Sequence, residues 1–314
     1  MRLWSRSALC LLLCACAPSK GEPEADTGGE GTGGEPHADE GGGHATGRHT
    51  LDHGGLERTF LLHVPDDLPP GAPLLLAFHG YSSDALTLRS YAGFDAIADR
   101  EGFAVAYPLG TVDGWGYRYF EVGYAFHDGS VDDVGFARAL AGALVADLGL
   151  DPDRVYATGM SNGGDLSYRL ACEADDLVAG IAPVAGAMMG SLLQTCAPAR
   201  AVPVLEIHGT DDDVTLWAGD PEDAGGWGAY PGTEEIMAFW AERHGAATEA
   251  SQDRPDADPA DGSTVHERSW TGAGADARVT LLEVRGGGHD WPGAWGNMDI
   301  DASEEIWAFL AGAR

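Results

Sequence analysis

The chain has 314 residues, 44% of them apolar, and a formal net charge of -32 at pH 7. That length holds one large α/β domain with a tail, or two small domains. The acidic balance excludes docking on nucleic acid or on an anionic membrane through a basic face, and it favours neutral or cationic ligands.

The first residues carry Arg2 and Arg6 and lead into an almost wholly apolar run from Ala8 to Ala15. This is the pattern of an export signal, and the run is too short to span a bilayer. Leu13-Cys14-Ala15-Cys16 resembles a bacterial lipobox, with Cys16 as the lipidated residue. The alternative is cleavage after a small residue and free release. Either route predicts a mature chain outside the cytoplasm, secreted or at the cell surface, that touches a membrane only through a lipid on Cys16. Cys10 and Cys14 leave with the signal. Cys172 and Cys196 remain as a pair in an oxidising space. A bridge between them closes a loop of about 25 residues and stabilises the fold by roughly 3 kcal/mol; two buried thiols are the other possibility.

Residues 1–16 are therefore assigned to the signal and 17–53 to an acidic, Gly-rich, disordered linker. A single α/β domain is expected over 54–314. The linker lacks large apolar side chains and cannot bury a core. His37, His44, His49 and His53 lie among carboxylates there, but their irregular spacing points to a polar spacer, and no metal is expected.

Leu56 to Val64 alternates as a first strand, and Pro73 to Phe78 is a continuous apolar run, as in a strand covered on both faces. Asp84 can cap a helical region reaching towards Arg100. Phe103 to Tyr107 reads as a strand, Trp115 to Phe126 as an aromatic loop, and Val131 to Leu148 as a helix. Arg154 to Ala157 reads as the next strand. Val178–Val184 and Val202–Ile207 are further strands. Asp220 to Gly232 reads as a Gly- and Asp-rich insertion. Thr233 is placed as the N-cap of a helix ending near His244, and residues 253–262 as a polar loop. Val265–Trp270 and Val279–Val284 are the last strands, before a closing helix over Asp299–Ala311. Strands alternating with helices predict a doubly wound, mainly parallel sheet.

The centre of the chain is Thr158-Gly159-Met160-Ser161-Asn162-Gly163-Gly164, between a strand and a helix. A Gly-x-Ser-x-Gly turn in that context is a nucleophile elbow, which stands the serine hydroxyl clear of the sheet on a strained turn. Strand and helix pass closely beside it, so Gly159 and Gly163 can carry no β-carbon. The helix start also presents free N–H groups to a reacting carbonyl.

An α/β-hydrolase orders its triad as Ser, then Asp or Glu, then His. Four histidines follow Ser161. His208 precedes the acidic cluster, His244 ends a helix, and His266 lies inside a polar strand. His289 follows a strand end and the flexible Gly286-Gly287-Gly288, where a general base belongs. Asp211, Asp212 and Asp213 follow a buried strand, and a carboxylate there can take the Nδ1 proton of His289. The residues alone leave the choice among the three open.

His79-Gly80, Gly159-Met160-Ser161-Asn162-Gly163-Gly164, His208-Gly209-Thr210-x-Asp212 and Gly287-Gly288-His289-x-Trp291-Pro292-Gly293 resemble the secreted polyhydroxybutyrate depolymerase-like esterases, a family that includes feruloyl and acetyl-xylan esterases. The resemblance spans about residues 54–314. It selects Asp212 as the acid, two places after the Thr of His-Gly-Thr. One departure is Val214-Thr215-Leu216-Trp217, where the family usually has Val-Pro-Tyr after the acid; this alters a wall of the cleft. The resemblance implies a serine carboxylesterase with Ser161, Asp212 and His289 as triad and no cofactor. The amides of Asn162 and Tyr81 are expected to form the oxyanion hole, and such a donor is worth about 3 kcal/mol in the transition state. Trp217, Trp227, Tyr230 and Trp291 are candidates to line the substrate site, with Trp291 also able to brace the His289 loop. The expected substrate is a neutral, possibly polymeric ester: a hydroxyacid polyester or oligoester, or a feruloyl or acetyl ester on plant polysaccharide. The competing class is an inactive surface-anchored binding protein on a hydrolase scaffold, which has no need of serine, acid and histidine together.

Overall fold

Residues 44–313, except 275, are described by the computed structural model. Cys16, the signal and the linker to residue 43 lie outside them. β1 (Gly47–His53) pairs antiparallel with β2 (Leu56–His63) in a hairpin. These first seven residues were assigned to the linker. Their side chains are polar apart from Leu51, which packs against the core, and the ladder from Gly47↔Leu62 to His53↔Leu56 carries the backbone into the sheet.

β3 (Leu74–Phe78) is followed by α1 (Ala85–Ala92), α2 (Phe94–Glu101) and β4 (Ala104–Pro108). The expected single helix is two, because Gly93 takes φ 62° and ends one where the next begins. Asp84 caps the first by accepting from the Thr87 amide at 2.8 Å. A short pair, β5 (Thr111–Val112) and β6 (Arg118–Tyr119), precedes α3 (Asp133–Leu148). β7 (Val155–Met160), α4 (Asn162–Glu173) and β8 (Gly180–Val184) surround the nucleophile turn. Then come α5 (Gly190–Thr195), β9 (Val204–Gly209), the pair β10 (Gly219–Asp220) and β11 (Tyr230–Pro231), and α6 (Thr233–Arg243). Thr233 is the first helical residue rather than the cap. Gly232 holds the cap position and makes no side-chain bond. The chain closes with β12 (Thr248–Asp253), β13 (Thr264–Thr271), β14 (Arg278–Arg285) and α7 (Ala302–Leu310).

The ten-stranded sheet runs β1-β2-β4-β3-β7-β8-β9-β14-β13-β12. Its centre, β4-β3-β7-β8-β9-β14, is parallel, and both flanks are antiparallel. The inner strands are apolar throughout because both faces are covered. Leu74, Leu76, Ala157 and Ile181 pack towards α3, α4 and α6, whereas Leu75, Ala77, Tyr156 and Ala182 pack towards α1, α2 and α7. This is a doubly wound sheet of the α/β-hydrolase kind. Among the described residues no helix is long and apolar enough to cross a membrane.

Candidate active site

Ser161 lies between the last residue of β7 and the first of α4, with φ 54° and ψ -119°. A positive φ at a non-glycine costs of order 1–3 kcal/mol, and the surroundings over-determine it here. The Ser161 amide donates to Val184 O at 2.8 Å, and its carbonyl accepts from the Asp165 amide at 2.9 Å. A β-carbon at Gly159 would sit 2.6 Å from the Gly163 carbonyl carbon. One at Gly163 would strike the Phe78 and His79 carbonyls. The glycines thus let β7, α4 and the end of β3 converge.

Gly80 follows β3 and lies beside the serine: a β-carbon there would be 3.5 Å from Ser161 Cβ. His79 fixes this loop. Its Nδ1–H donates to Gly80 O at 2.8 Å, and its Nε2 accepts from the Gly110 amide at 3.0 Å. Burial pushes its pKa down to about 4, so the ring stays neutral and keeps both bonds. The Asn162 amide opens α4 and has no partner within the helix. The Asn162 side chain is committed elsewhere, accepting from Phe120 N at 2.7 Å and donating to Phe120 O at 2.9 Å. The Tyr81 amide likewise has no partner among the described residues, whereas the next two amides, of Ser82 and Ser83, do.

The acid and base stand on the loops after two neighbouring strands, β9 and β14. Their chain ends touch: a β-carbon at Gly209 would strike the Gly287 and Gly288 carbonyls. The Nδ1–H of His289 donates to Asp212 Oδ2 at 2.8 Å. Asp212 Oδ1 accepts from the Val214 and Thr215 amides, both at 2.8 Å. Asp212 is buried, while Asp211 and Asp213 are exposed and do not reach His289. The Ser161 hydroxyl bonds to no other described residue, His289 included; serine–imidazole hydrogen bonds commonly tighten only in the complex with substrate.

The four aromatic candidates separate. Trp291 is only 1% exposed, donates from Nε1 to Ser303 Oγ at 3.1 Å and packs on Tyr91 and Phe94; it braces the base loop and offers no substrate surface. Tyr230 is likewise buried, its hydroxyl accepting from the Leu216 amide. Trp217 packs edge-on against His208, with 5.9 Å between ring centroids. Trp227 alone joins an aromatic group around Tyr81, with Tyr124 and Phe126 at 5.2–5.3 Å from it. Trp115 and Tyr117, both exposed, extend that group and were not singled out in the sequence. The Tyr81 hydroxyl donates to Asp113 at 2.6 Å, and burial together with that carboxylate raises its pKa and keeps the phenol protonated. A cavity of about 740 Å³ beside Asp113 is lined by Arg58, Arg118 and His127 but by none of Ser161, Asp212 and His289.

Sequence reasoning also missed two buried acids on the core side of the site. Asp165 accepts from the Ala187 amide and the Tyr124 hydroxyl, and burial raises its pKa to about 7. Glu206 accepts from the Tyr168 hydroxyl, the Gly186 amide and His208. The available signal was a glutamate in the middle of an otherwise apolar strand, Val204-Leu205-Glu206-Ile207. Cys172 and Cys196 are joined as a disulfide. No cluster of His, Cys, Asp and Glu among the described residues is arranged to hold a metal ion.

A strained serine at a strand-to-helix turn, with a carboxylate–imidazole pair on two neighbouring strand ends, defines an α/β-hydrolase site. Residues 62–246 match the family described as esterase PHB depolymerase. A protein named as an esterase, NocK, from Nocardia uniformis subsp. tsuyamanensis is 36% identical over 239 residues, covering 72% of this chain and 67% of that one. Feruloyl esterase B of Piromyces equi is 29% identical over 222 residues, which are 69% of this chain but 39% of the relative. Among solved structures, acetyl xylan esterase from Aspergillus awamori shares the fold at a TM-score of 0.60, with 14% identity, 85% of this chain and 99% of that one covered. The chain belongs to the PHB depolymerase family of esterases, serine hydrolases that act on ester bonds.

Proposed function

We propose that the protein is an extracytoplasmic serine carboxylesterase that hydrolyses short hydroxyacid oligoesters or polyesters through an acyl-enzyme. The observation that carries this reading is the Asp212–His289 hydrogen bond, set on strand ends beside the strained Ser161 turn. In this mechanism Ser161 attacks the ester carbonyl while His289 Nε2 takes its proton. Asp212 holds the tautomer with the proton on Nδ1 and stabilises the imidazolium. The amides of Asn162 and Tyr81 receive the oxyanion. His289 then returns its proton to the leaving alcohol, and water, activated by the same imidazole, releases the acid. The acidic surface repels that anionic product.

The aromatic group of half-buried Tyr81 and Trp227 with exposed Trp115 and Tyr117 favours a second reading, in which the acyl group is a feruloyl ester or the alcohol is an acetylated plant polysaccharide. Export, with or without a lipid on Cys16, is part of the proposal and is supported by the apolar run before Cys16 and by the disulfide. The test compares hydroxybutyrate oligomers, methyl ferulate and acetylated xylo-oligosaccharide on the purified chain, with Ser161→Ala as control. Ser161→Ala is expected to lose roughly 10⁴-fold or more in kcat and all labelling by a fluorophosphonate. Near-full turnover by that variant, or an unlabelled wild-type chain, refutes the esterase reading in favour of an inactive scaffold.

A further inference from the structure

A second imidazole stands directly behind the triad acid. His208 is at the penultimate position of β9, wholly buried. Its Nδ1 is 2.9 Å from Glu206 Oε1, and its Nε2 is 2.8 Å from Thr215 O and 3.4 Å from Asp212 Oδ2. Both neighbours on Nε2 are acceptors, and so is the carboxylate on Nδ1. A neutral ring has only one N–H and would leave one side facing lone pair to lone pair. Burial pushes the Glu206 carboxyl up; with Glu206 ionised, both nitrogens are satisfied at once only by the doubly protonated ring. We propose that Glu206 and His208 are positioning residues for the reaction: His208, held as an imidazolium by Glu206, anchors the Asp212 carboxylate, aims it at His289 and moderates its field there.

Four observations support the charge. Burial alone would lower the His208 pKa, but the Glu206 hydrogen bond and charge, followed by the charge of Asp212, outweigh it and raise it. Glu206 has two further donors, the Tyr168 hydroxyl at 2.8 Å and the Gly186 amide at 3.2 Å, which fix the carboxylate in place. Asp165, on α4, is coupled to the His208 charge and adds negative potential once it ionises, and among the described residues no Lys or Arg is within salt-bridge distance of His208. Trp217 packs edge-on against the ring, and His208 is only 1% exposed. The result is a line, Tyr168–Glu206–His208–Asp212–His289, that runs from the core to the reacting serine. The positive imidazolium beside Asp212 reduces that carboxylate's negative field at His289.

This inference rests on the esterase reading and has a separable test. Glu206→Gln keeps acceptors for His208 and Gly186 but removes the charge that holds the imidazolium. His208→Gln keeps one donor towards Asp212 and cannot be charged. Each is assayed on p-nitrophenyl butyrate across pH, with melting temperature measured alongside. With His208 neutral, His289 feels the full Asp212 charge and binds its proton more tightly. The acidic limb of kcat/KM therefore moves to higher pH, by about half a unit or more, and kcat falls roughly tenfold with KM within twofold. A merely structural role lowers the melting temperature and leaves the limb in place. If His208→Gln does not fold, Glu206→Gln decides. A folded Glu206→Gln with wild-type kcat and an unmoved limb overturns the inference. Wild-type protein without esterase activity overturns the reading beneath it instead.

Discussion

Replacing Asp212 by Asn is the sharpest test of the triad, because the structure dictates how the new amide must sit. Oδ1 of Asp212 accepts from two backbone amides, those of Val214 and Thr215, at 2.8 Å each. An asparagine has one acceptor and one donor group, so its carbonyl must take Oδ1's place. The NH₂ is then driven to the Oδ2 position, 2.8 Å from His289 Nδ1. Two donors cannot share that gap, so His289 gives up its Nδ1 proton and carries it on Nε2 instead. The ring then faces Ser161 with an N–H and no lone pair, and it cannot accept the serine proton. Shape and volume are almost unchanged. The expected loss is on the order of 10⁴ in kcat, about 5.5 kcal/mol of transition-state stabilisation, with KM nearly constant. The assay is kcat and KM on p-nitrophenyl butyrate near neutral pH, with thermal melting to verify the fold. A folded Asp212→Asn chain that retains more than about a tenth of wild-type kcat refutes the tautomer argument, since catalysis would then not need a proton-accepting Nε2.

Other outcomes follow from the same geometry. Gly163→Ala forces a methyl group against the Phe78 and His79 carbonyls and is expected to cost roughly 1–3 kcal/mol, read as a lower urea midpoint. Removing the disulfide as Cys172→Ala with Cys196→Ala frees a loop 24 residues long and should cost about 3 kcal/mol, seen as a drop of roughly 6–12 °C in melting temperature. His244 is neutral in the fold: burial lowers its pKa from 6.5 to about 4 while Nε2 accepts from the Val202 amide. Its contribution is complete above pH 6.5 and is lost as pH falls towards 4, because the unfolded chain binds the proton first. His244→Gln should flatten the stability-against-pH curve by up to one proton in that window, and an unchanged slope refutes the assignment.

The nucleophile turn was legible because its chemistry is local: glycine spacing, a strand before and a helix after suffice to place Ser161. His289 and Asp212 were legible through chain order and motif, although their meeting depends on β9 and β14 being neighbours in the sheet. β12 was missed because Thr248-Glu249-Ala250-Ser251-Gln252-Asp253 has no apolar alternation; its backbone pairing with β13 makes it a strand. β1 was hidden for the same reason. Thr233 looked like a cap by residue type, but the turn from β11 delivers Gly232 to that position. Glu206 and His208 announced burial by their apolar neighbours, yet sequence gives no partner for a buried charge, and the partners here come from α4 and the loops after β8 and β9. Tyr230 was misplaced, and Trp291 was left with two readings of which the brace holds, because a loop aromatic looks the same on paper whether it faces a cleft or the core.

The outermost strands of the large sheet have a bearing on how the protein behaves at high concentration. β1 and β12 each leave one row of backbone groups free for a neighbouring molecule, the geometry from which fibres and sticky multimers grow. β12 answers with Thr, Glu, Gln and Asp side chains that all point into water, and β1 with Arg48, His49, Asp52 and His53. A chain trimmed to begin at residue 54 would lose the first of these guards and lay bare β2, with Phe60 and Leu62, as the new border. Such a shortened chain should clump where one beginning before Gly47 stays dispersed.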